Sequence, residues 1–161
     1  MLRTPAPLIG ALGFIKRMGA YHYIESYVHG NRIGAIVHLT HDDASTAKTQ
    51  EFSALAEDLA KQIVALSPKV VRSSDLAPEI RDRELAYLLS RLDGLSPTER
   101  ADRIDRANRR LNADFCLMEQ LYFKNPDISV GQHVSNISTL LHDSIEVVKF
   151  VGSSAESVGK S

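Results

Sequence analysis

The sequence of 161 residues contains one cysteine and no tryptophan, and its basic and acidic residues nearly balance. The single thiol, Cys116, excludes a disulfide within the chain and is typical of a reducing compartment. We interpret it as a small buried hydrophobe; a reactive thiol or a disulfide between chains is the alternative. The formal net charge of −1 argues against non-specific binding of nucleic acid, which requires excess lysine and arginine. No apolar run is long enough to span a bilayer, so we predict one compact domain with no direct nucleic-acid or membrane partner.

Motifs of catalysis and metal binding are also missing. The sequence has no phosphate-binding glycine loop, nucleophile elbow, C-x-x-C or H-E-x-x-H motif. His38 and His41 are expected on opposite faces of a strand, and zinc requires a tighter ligand set. Arginines of the predicted third helix are interleaved with acids, which indicates a solvated face rather than an RNA-binding one. We therefore predict no cofactor, no metal and no enzyme chemistry, and favour a binding module.

Residues 21–39 predict a β-hairpin. β-branched and aromatic side chains alternate with a period of two on both sides of Gly30-Asn31. This pair suits a two-residue turn, because glycine accepts the positive φ that such turns demand. Helices are expected to cover one face, since an isolated hairpin is marginally stable in water. The other face carries either the tyrosine set (Tyr21, Tyr23, Tyr27) or the alternate set, and we expect it to pair with a second copy.

Amphipathic helices follow the hairpin. The first has apolar residues from Phe52 to Ile63 at the i, i+3, i+4, i+7 spacing, and Ser67-Pro68 ends it. A second helix is predicted to start within residues 75–78 and to run to about residue 93. A third begins at the capping box of residues 96–99 and runs to about residue 120. The narrow apolar stripe of the third helix predicts an antiparallel helical hairpin that projects from the domain.

The C-terminal part predicts an apolar-aromatic connector (residues 121–126), a fourth helix after a capping box (129–132), and a third strand (144–151). The predicted fold class is therefore α+β: a small three-stranded antiparallel sheet covered by helices, with a protruding antiparallel helical hairpin, or coiled coil. Its predicted parts are an N-terminal arm (1–20), a core domain (21–152) with a helical arm at about 78–120, and a disordered tail (153–161).

The first twenty residues are basic, and the first acidic residue is Glu25. The basic residues Lys16 and Arg17 follow the apolar patch instead of preceding it, which argues against a signal peptide. We expect a helical or frayed arm that packs on the domain or on a partner. The predicted localisation is cytoplasmic, or an organellar matrix if residues 1–20 form a transit peptide.

Four parts of the sequence resemble the core domain of bacterial elongation factor Ts, the last of them being residues 129–132 together with the final strand. Residues 26–37, SYVHGNRIGAIV, resemble the family hairpin SYxHxxxRxGVLV. Residues 52–68 resemble the family helix that ends before a proline, and residues 116–125, CLMEQLYFKN, resemble the family segment LLEQPFVKD. The resemblance covers about residues 21–151 in order. It implies a protein with a coiled-coil protrusion that binds elongation factor Tu and promotes GDP release during translation elongation.

Three departures from the family pattern bear on function. The family's ubiquitin-associated-like N-terminal module has no counterpart in this sequence, and only one core subdomain is present. Short family versions of that kind pair two chains through the sheet. The exchange motif Thr-Asp-Phe-Val aligns with Asp43-Ala44-Ser45-Thr46, so Ala44 and Ser45 replace the residues that intrude near the magnesium and nucleotide. The alternative function is a binding or assembly module of the same family that does not promote exchange.

The resemblance implies two partner-binding stretches. In the hairpin, His29 matches a family histidine that touches elongation factor Tu away from the nucleotide, and Gly30 and Arg32 belong to the same turn; the alternative for His29 is a plain turn-flanking residue. The second stretch consists of Asp43, Ala44, Ser45 and Thr46. The predicted partners are elongation factor Tu and a second copy of this chain.

Overall fold

The computed structural model describes residues 20–153. In chain order, the strands and α-helices of that range are β1 (Tyr21–His29), β2 (Ile33–His41), α1 (Gln50–Leu66), α2 (Pro78–Leu89), α3 (Pro97–Phe115), β3 (Leu121–Tyr122), β4 (Asn125–Ser129), α4 (Val130–Leu141) and β5 (Glu146–Gly152). The architecture is the α+β fold that the sequence predicts. The predicted N-terminal arm and C-terminal tail lie outside the described residues, apart from Ala20 and Ser153.

The main sheet is antiparallel with the strand order β1-β2-β5, so a third strand joins the hairpin as predicted. Gly30 and Asn31 both have a positive φ, 57° and 53°, and the Arg32 N–H donates to the His29 carbonyl at 3.1 Å. The predicted turn residues are thereby confirmed. The loop is one residue longer than predicted, because His29 pairs with Ile33 and Arg32 also lies between the strands.

Helix α1 covers one face of this sheet and forms the core with it. Its large buried apolar side chains are Phe52, Leu55, Leu59 and Ile63. Burying each such side chain contributes roughly 1.5–3 kcal/mol. Thr49 caps the start of the helix by accepting from the Phe52 N–H. Ser67, in the left-handed conformation with a φ of 46°, ends the helix before the proline as predicted.

The tyrosines of β1 lie on the α1 side of the sheet. Tyr23 and Tyr27 pack against the core, and the Tyr23 ring meets the Phe52 ring edge-on with centroids 5.0 Å apart. The face turned away from α1 carries the alternate residues, which are both polar and aliphatic. We call its four exposed aliphatic side chains the open sheet face; Ile24, Val28, Ile36 and Val151 are 58%, 61%, 50% and 69% exposed. The open sheet face is therefore the one available for pairing, and the tyrosine set is not.

Helices α2 and α3 form the predicted helical hairpin. The Arg81 side chain joins them by donating to the side-chain carbonyls of Asn108 and Asn112 at 3.3 and 3.1 Å. No residue of α2 is buried, and Leu111 is the buried residue of α3. Helix α2 ends at Leu89, earlier than the predicted end near residue 93.

Helix α3 ends at Phe115, well before the predicted end near residue 120. Cys116 leaves the helix with an extended backbone and forms a parallel bridge with Val70, and the Leu117 N–H donates to the Val70 carbonyl at 2.9 Å. Backbone pairing with a distant segment thus overrides the local helical pattern. Cys116 itself is buried, as predicted.

The predicted connector of residues 121–126 is wrong in part, because β3 and β4 pair there as a small hairpin. The fully buried Gln62 of α1 holds this hairpin. Its amide nitrogen donates to the Leu121 carbonyl at 3.0 Å, and its amide oxygen accepts from the Phe123 N–H at 3.0 Å. Asp58 of α1, also buried, accepts from the Tyr122 hydroxyl at 2.6 Å, so two polar side chains of α1 hold the hairpin.

Helix α4 begins at the predicted capping box. Ser129 accepts from the Gln132 N–H through its hydroxyl, and the Gln132 side chain accepts from the Ser129 N–H. The helix ends at Leu141, the next residue His142 has a left-handed φ of 51°, and β5 then pairs with β2. Among residues 20–153, no helix combines the length and apolar character needed to cross a membrane.

Candidate functional site

The predicted site residues lie at the two ends of β2. His29, Gly30 and Arg32 belong to the hairpin tip (residues 29–32), and the other four belong to the 42–46 turn (residues 42–46), which follows the opposite end of the strand. A strand rises by about 3.3 Å per residue, so β2 separates the two stretches by roughly 25 Å. The structure brings residues together within each stretch but keeps the two stretches apart.

At the hairpin tip, His29 is exposed, and its Nδ1 lies 3.2 Å from the Tyr27 hydroxyl. The Lys61 ammonium lies over the Tyr27 ring, 5.6 Å from the centroid. These side chains line a groove of about 470 Å³ together with Phe123, which is 44% exposed. An apolar groove with a few polar groups at its rim is suited to receive an apolar side chain of a partner.

Sequence reasoning missed the part of this groove that comes from outside the hairpin. Lys61 lies on α1, and Phe123 lies in the turn between β3 and β4. Phe123 belongs to the segment 116–125 that carries the family resemblance, which is the one signal that pointed to it. Only the folded chain places it beside His29.

Asp43 organises the 42–46 turn locally. Its carboxylate accepts from the Ser45 N–H and from the Ser45 hydroxyl, both at 2.8 Å. These hydrogen bonds hold the pKa of Asp43 below its ordinary value, so the carboxylate stays charged at neutral pH. The Asp43 carbonyl accepts from the Thr46 N–H at 3.0 Å, and the chain then enters a short 3-10 helix, Thr46–Lys48.

The two residues that depart from the family motif are exposed on this turn. Ala44 offers only a methyl group, and the Ser45 hydroxyl donates to Asp43, whereas Thr46 is buried. The turn therefore presents backbone and two small side chains. Such a surface can dock against a partner, but it carries no ring or free carboxylate at these two positions.

Asp143, which sequence reasoning missed, holds the same turn from another part of the chain. Its carboxylate accepts from the N–H groups of Asp42 and Asp43 at 2.9 and 3.1 Å, and from the Thr46 hydroxyl at 2.5 Å. Burial alone would raise the pKa of Asp143, but the hydrogen bond from Thr46 and those from backbone N–H groups outweigh it and lower the pKa. No local sequence pattern marks this residue.

The described side chains present groups for binding rather than for covalent chemistry. Residues 20–153 contain no group of three or more His, Cys, Asp or Glu side chains that could hold a metal ion. Burial raises the pKa of Cys116 to about 11, so its thiol stays protonated at neutral pH and is a poor nucleophile. The apolar groove at the hairpin tip and the exposed 42–46 turn are candidate protein-binding surfaces.

Known proteins of one family are similar to this chain. A family model described as "Elongation factor TS" matches residues 12–155. The protein named Elongation factor Ts from Carboxydothermus hydrogenoformans is 33% identical over 84% of this chain and 64% of its own length. The proteins of that name from Heliobacterium modesticaldum and Alkaliphilus oremlandii are 31% and 30% identical, over 84% and 83% of this chain and 65% and 63% of their own lengths. The chain thus spans less than two thirds of the length of these relatives. Because the family model covers most of the sequence, including both ends of β2, the chain belongs to the elongation factor Ts family.

Proposed function

We propose that this chain binds elongation factor Tu, promotes the release of its GDP during translation elongation, and acts in the cytoplasm. The observation that carries the proposal is the 42–46 turn, which is exposed and ordered by hydrogen bonds and which the family resemblance aligns with the exchange motif. Exchange requires that a factor bind the nucleotide-free state of its partner more tightly than the GDP-bound state. An ordered surface at this position supplies a fixed geometry for that discrimination.

Release of a fluorescent GDP analogue from elongation factor Tu of the same organism tests the proposal. At saturation the chain is expected to raise the rate of GDP release at least about tenfold. A factor of this size is typical of the coupling between two binding sites. The same amount of chain unfolded by heat is the control. Equal release rates with the folded and the unfolded chain would overturn the exchange function.

A module that docks without promoting exchange is the second candidate function. It is favoured by Ala44 and Ser45, whose small exposed side chains cannot wedge into a partner as a carboxylate and a phenyl ring do. This candidate expects the double variant Ala44→Asp, Ser45→Phe to promote release about tenfold faster than the natural chain, with equal affinity by calorimetry. The same changes at exposed Ala86 and Ser90 of the helical hairpin are the matched control. A natural chain that already releases GDP as fast as the double variant would contradict this candidate.

We also propose that two copies of the chain pair through the open sheet face. Its four aliphatic side chains are each half exposed or more, and pairing two such faces removes them from water. Light scattering at rising protein concentration should show a dimer, and Ile36→Lys, in the central strand of that face, should shift it to monomer. Leu140→Lys on α4, where the native side chain is 59% exposed, is the control and should leave the dimer intact. A natural chain that remains monomeric at high concentration would contradict the pairing.

A further inference from the structure

The end of α4 brings a buried carboxylate to the 42–46 turn. His142 takes the left-handed conformation, and the Asp143 N–H closes the helix end by donating to the Ser138 carbonyl at 3.0 Å. A left-handed residue at this position reverses the chain direction. The Asp143 side chain, only 2% exposed, thereby lies against the residues that follow β2.

Four donors surround this carboxylate. Its Oδ1 accepts from the N–H groups of Asp42 at 2.9 Å and Ser144 at 2.6 Å. Its Oδ2 accepts from the Asp43 N–H at 3.1 Å and from the Thr46 hydroxyl at 2.5 Å. Hydrogen bonds to an ionised acceptor are roughly twice as strong as neutral ones, and two carboxylate oxygens have enough lone pairs for all four.

His41 links this cluster to the core. Its Nδ1–H donates to the Asp43 carbonyl at 2.9 Å and lies 3.9 Å from Asp143 Oδ2. The same ring meets Phe52 edge-on, with centroids 5.2 Å apart. The 42–46 turn is thus held between the end of α4 on one side and the α1–sheet core on the other.

Contacts within the turn do not duplicate what Asp143 does. The Asp43 carboxylate holds Ser45, which is two residues away, and so shapes the turn without attaching it to any helix. The bonds from Asp42, Asp43 and Thr46 to Asp143 attach the turn to the end of α4. Loss of that carboxylate would leave the shape of the turn and its bond to His41, but it would detach the turn from the end of α4.

We propose that Asp143 is the positioning residue of the 42–46 turn, and that its buried carboxylate fixes the place at which Ala44 and Ser45 meet elongation factor Tu. The consequence for GDP release rests on the proposed function, whereas the positioning itself is a property of the free chain. A turn that is detached from α4 can still dock on the partner, but it no longer favours one nucleotide state of the partner. Asp143 therefore controls how strongly binding of the chain is coupled to GDP release, and not how tightly the chain binds elongation factor Tu.

The first test is Asp143→Asn, which keeps the side-chain size and replaces one acceptor oxygen by an NH₂ donor. In the GDP-release assay this variant should lower the rate at saturation about tenfold and leave the half-saturating concentration within about threefold. Asp82→Asn, the same change at an exposed site on α2, is the matched control and should alter neither quantity. With an active natural chain, an unchanged saturating rate for Asp143→Asn overturns the proposal. A change confined to the half-saturating concentration also overturns it.

The second test needs no partner. In the free chain, Asp143→Asn should speed hydrogen exchange of the Asp42 and Asp43 amides about tenfold and leave the amides of the hairpin tip unchanged. If the natural chain promotes no GDP release, the proposed function fails, and this measurement still decides whether Asp143 holds the turn. Unchanged exchange at Asp42 and Asp43 overturns the positioning role.

Thr46→Val covers the case in which Asp143→Asn does not fold. It removes one donor to Asp143 at nearly constant side-chain shape. GDP release should slow and amide exchange in the turn should speed up, both by less than in Asp143→Asn, because three donors remain. If both variants fold, the chain that carries Asp143→Asn and Thr46→Val together should promote GDP release no more slowly than Asp143→Asn alone. The reason is that the two changes break one shared contact. Additive losses, or a Thr46→Val chain with natural release and natural amide exchange, would count against the proposal.

Discussion

The two ends of β2 are built differently. At the hairpin tip, the Arg32 N–H bonds to the His29 carbonyl, and two residues with positive φ reverse the chain. At the other end, the 42–46 turn depends on Asp143, which lies 100 positions after Asp43. The tip can therefore form from neighbouring residues alone, whereas the turn is complete only when the end of α4 is in place.

The proposed function assigns a different task to each end of this strand. A locally closed tip can change its side chains with little effect elsewhere, which suits recognition of a partner. A turn attached to the core and to a helix end keeps a fixed position, which suits discrimination between two states of that partner. We therefore expect changes at the tip to act on affinity, and changes around the turn to act on stability and coupling.

The largest loss of stability is expected from a change in the core beneath the 42–46 turn. Phe52 meets both Tyr23 and His41 edge-on, with centroids 5.0 and 5.2 Å away. Phe52→Ala leaves a cavity and should lower the free energy of unfolding by about 4 kcal/mol in urea denaturation. Phe123→Ala beside the tip is the control and should cost about 1 kcal/mol or less, because that ring is 44% exposed. Equal losses would mean that both ends depend equally on the core.

The next largest loss of stability is expected from a change at the 42–46 turn, and it should depend on pH. Asp143→Asn should lower the free energy of unfolding by about 2 kcal/mol at neutral pH, because hydrogen bonds to a charged acceptor are lost. The folded state lowers the pKa of Asp143, so this stabilisation is complete above the pKa of the unfolded carboxyl and is lost as the pH falls through the folded value. In urea denaturation, the two chains should converge only below about pH 3.9. Asp82→Asn should follow the natural chain throughout, and a gap that does not depend on pH would contradict the assignment.

A smaller effect is expected from Gly30 at the tip. Its φ of 57° is one that side chains with a Cβ rarely adopt, although an added Cβ would meet nothing within 4 Å. Gly30→Ala should therefore lower the free energy of unfolding by about 1 kcal/mol, from backbone strain alone. Gly30→Asn should lose less, since asparagine tolerates this region better. Equal stability of Gly30→Ala and the natural chain in urea would show that the tip relaxes freely.

The smallest effect is expected from His29→Ala. Removing one exposed ring from a docking surface should raise the half-saturating concentration for GDP release about threefold and leave the saturating rate unchanged. His22→Ala, an exposed histidine near the other end of β1, is the control and should change neither. A fall in the saturating rate with His29→Ala would break the division of tasks between the two ends.

Local patterns were sufficient for the elements whose boundaries are set locally. The stripe of α1, the capping boxes of α3 and α4, and the turn at Gly30 and Asn31 all follow from spacing and side-chain chemistry. The end of α3 and the β3–β4 hairpin do not. Cys116 leaves α3 because Val70 offers a backbone partner, and the β3–β4 hairpin depends on the buried Gln62 and Asp58 of α1. Partners so distant in sequence leave no periodic signal.

The same distinction applies to the candidate site. The resemblance identified the residues that both stretches present, but it did not identify what holds them. Asp143 lies in a polar segment after a helix, and only the packing of α4 beside β2 shows what its carboxylate binds. Alternation separated the two faces of β1, but it could not tell which face α1 covers. The contact between Tyr23 and Phe52 decided that question.

Because the native thiol of Cys116 is buried, a cysteine introduced into the 42–46 turn could be labelled selectively. With a pKa of about 11, the Cys116 thiol is ionised in only roughly one molecule in ten thousand at pH 7, and burial also keeps reagents away. The sequence has no other cysteine. An Ala44→Cys chain would therefore accept a fluorophore or spin label at one position without removal of any native thiol, and the movement of the turn could be followed directly as a partner binds.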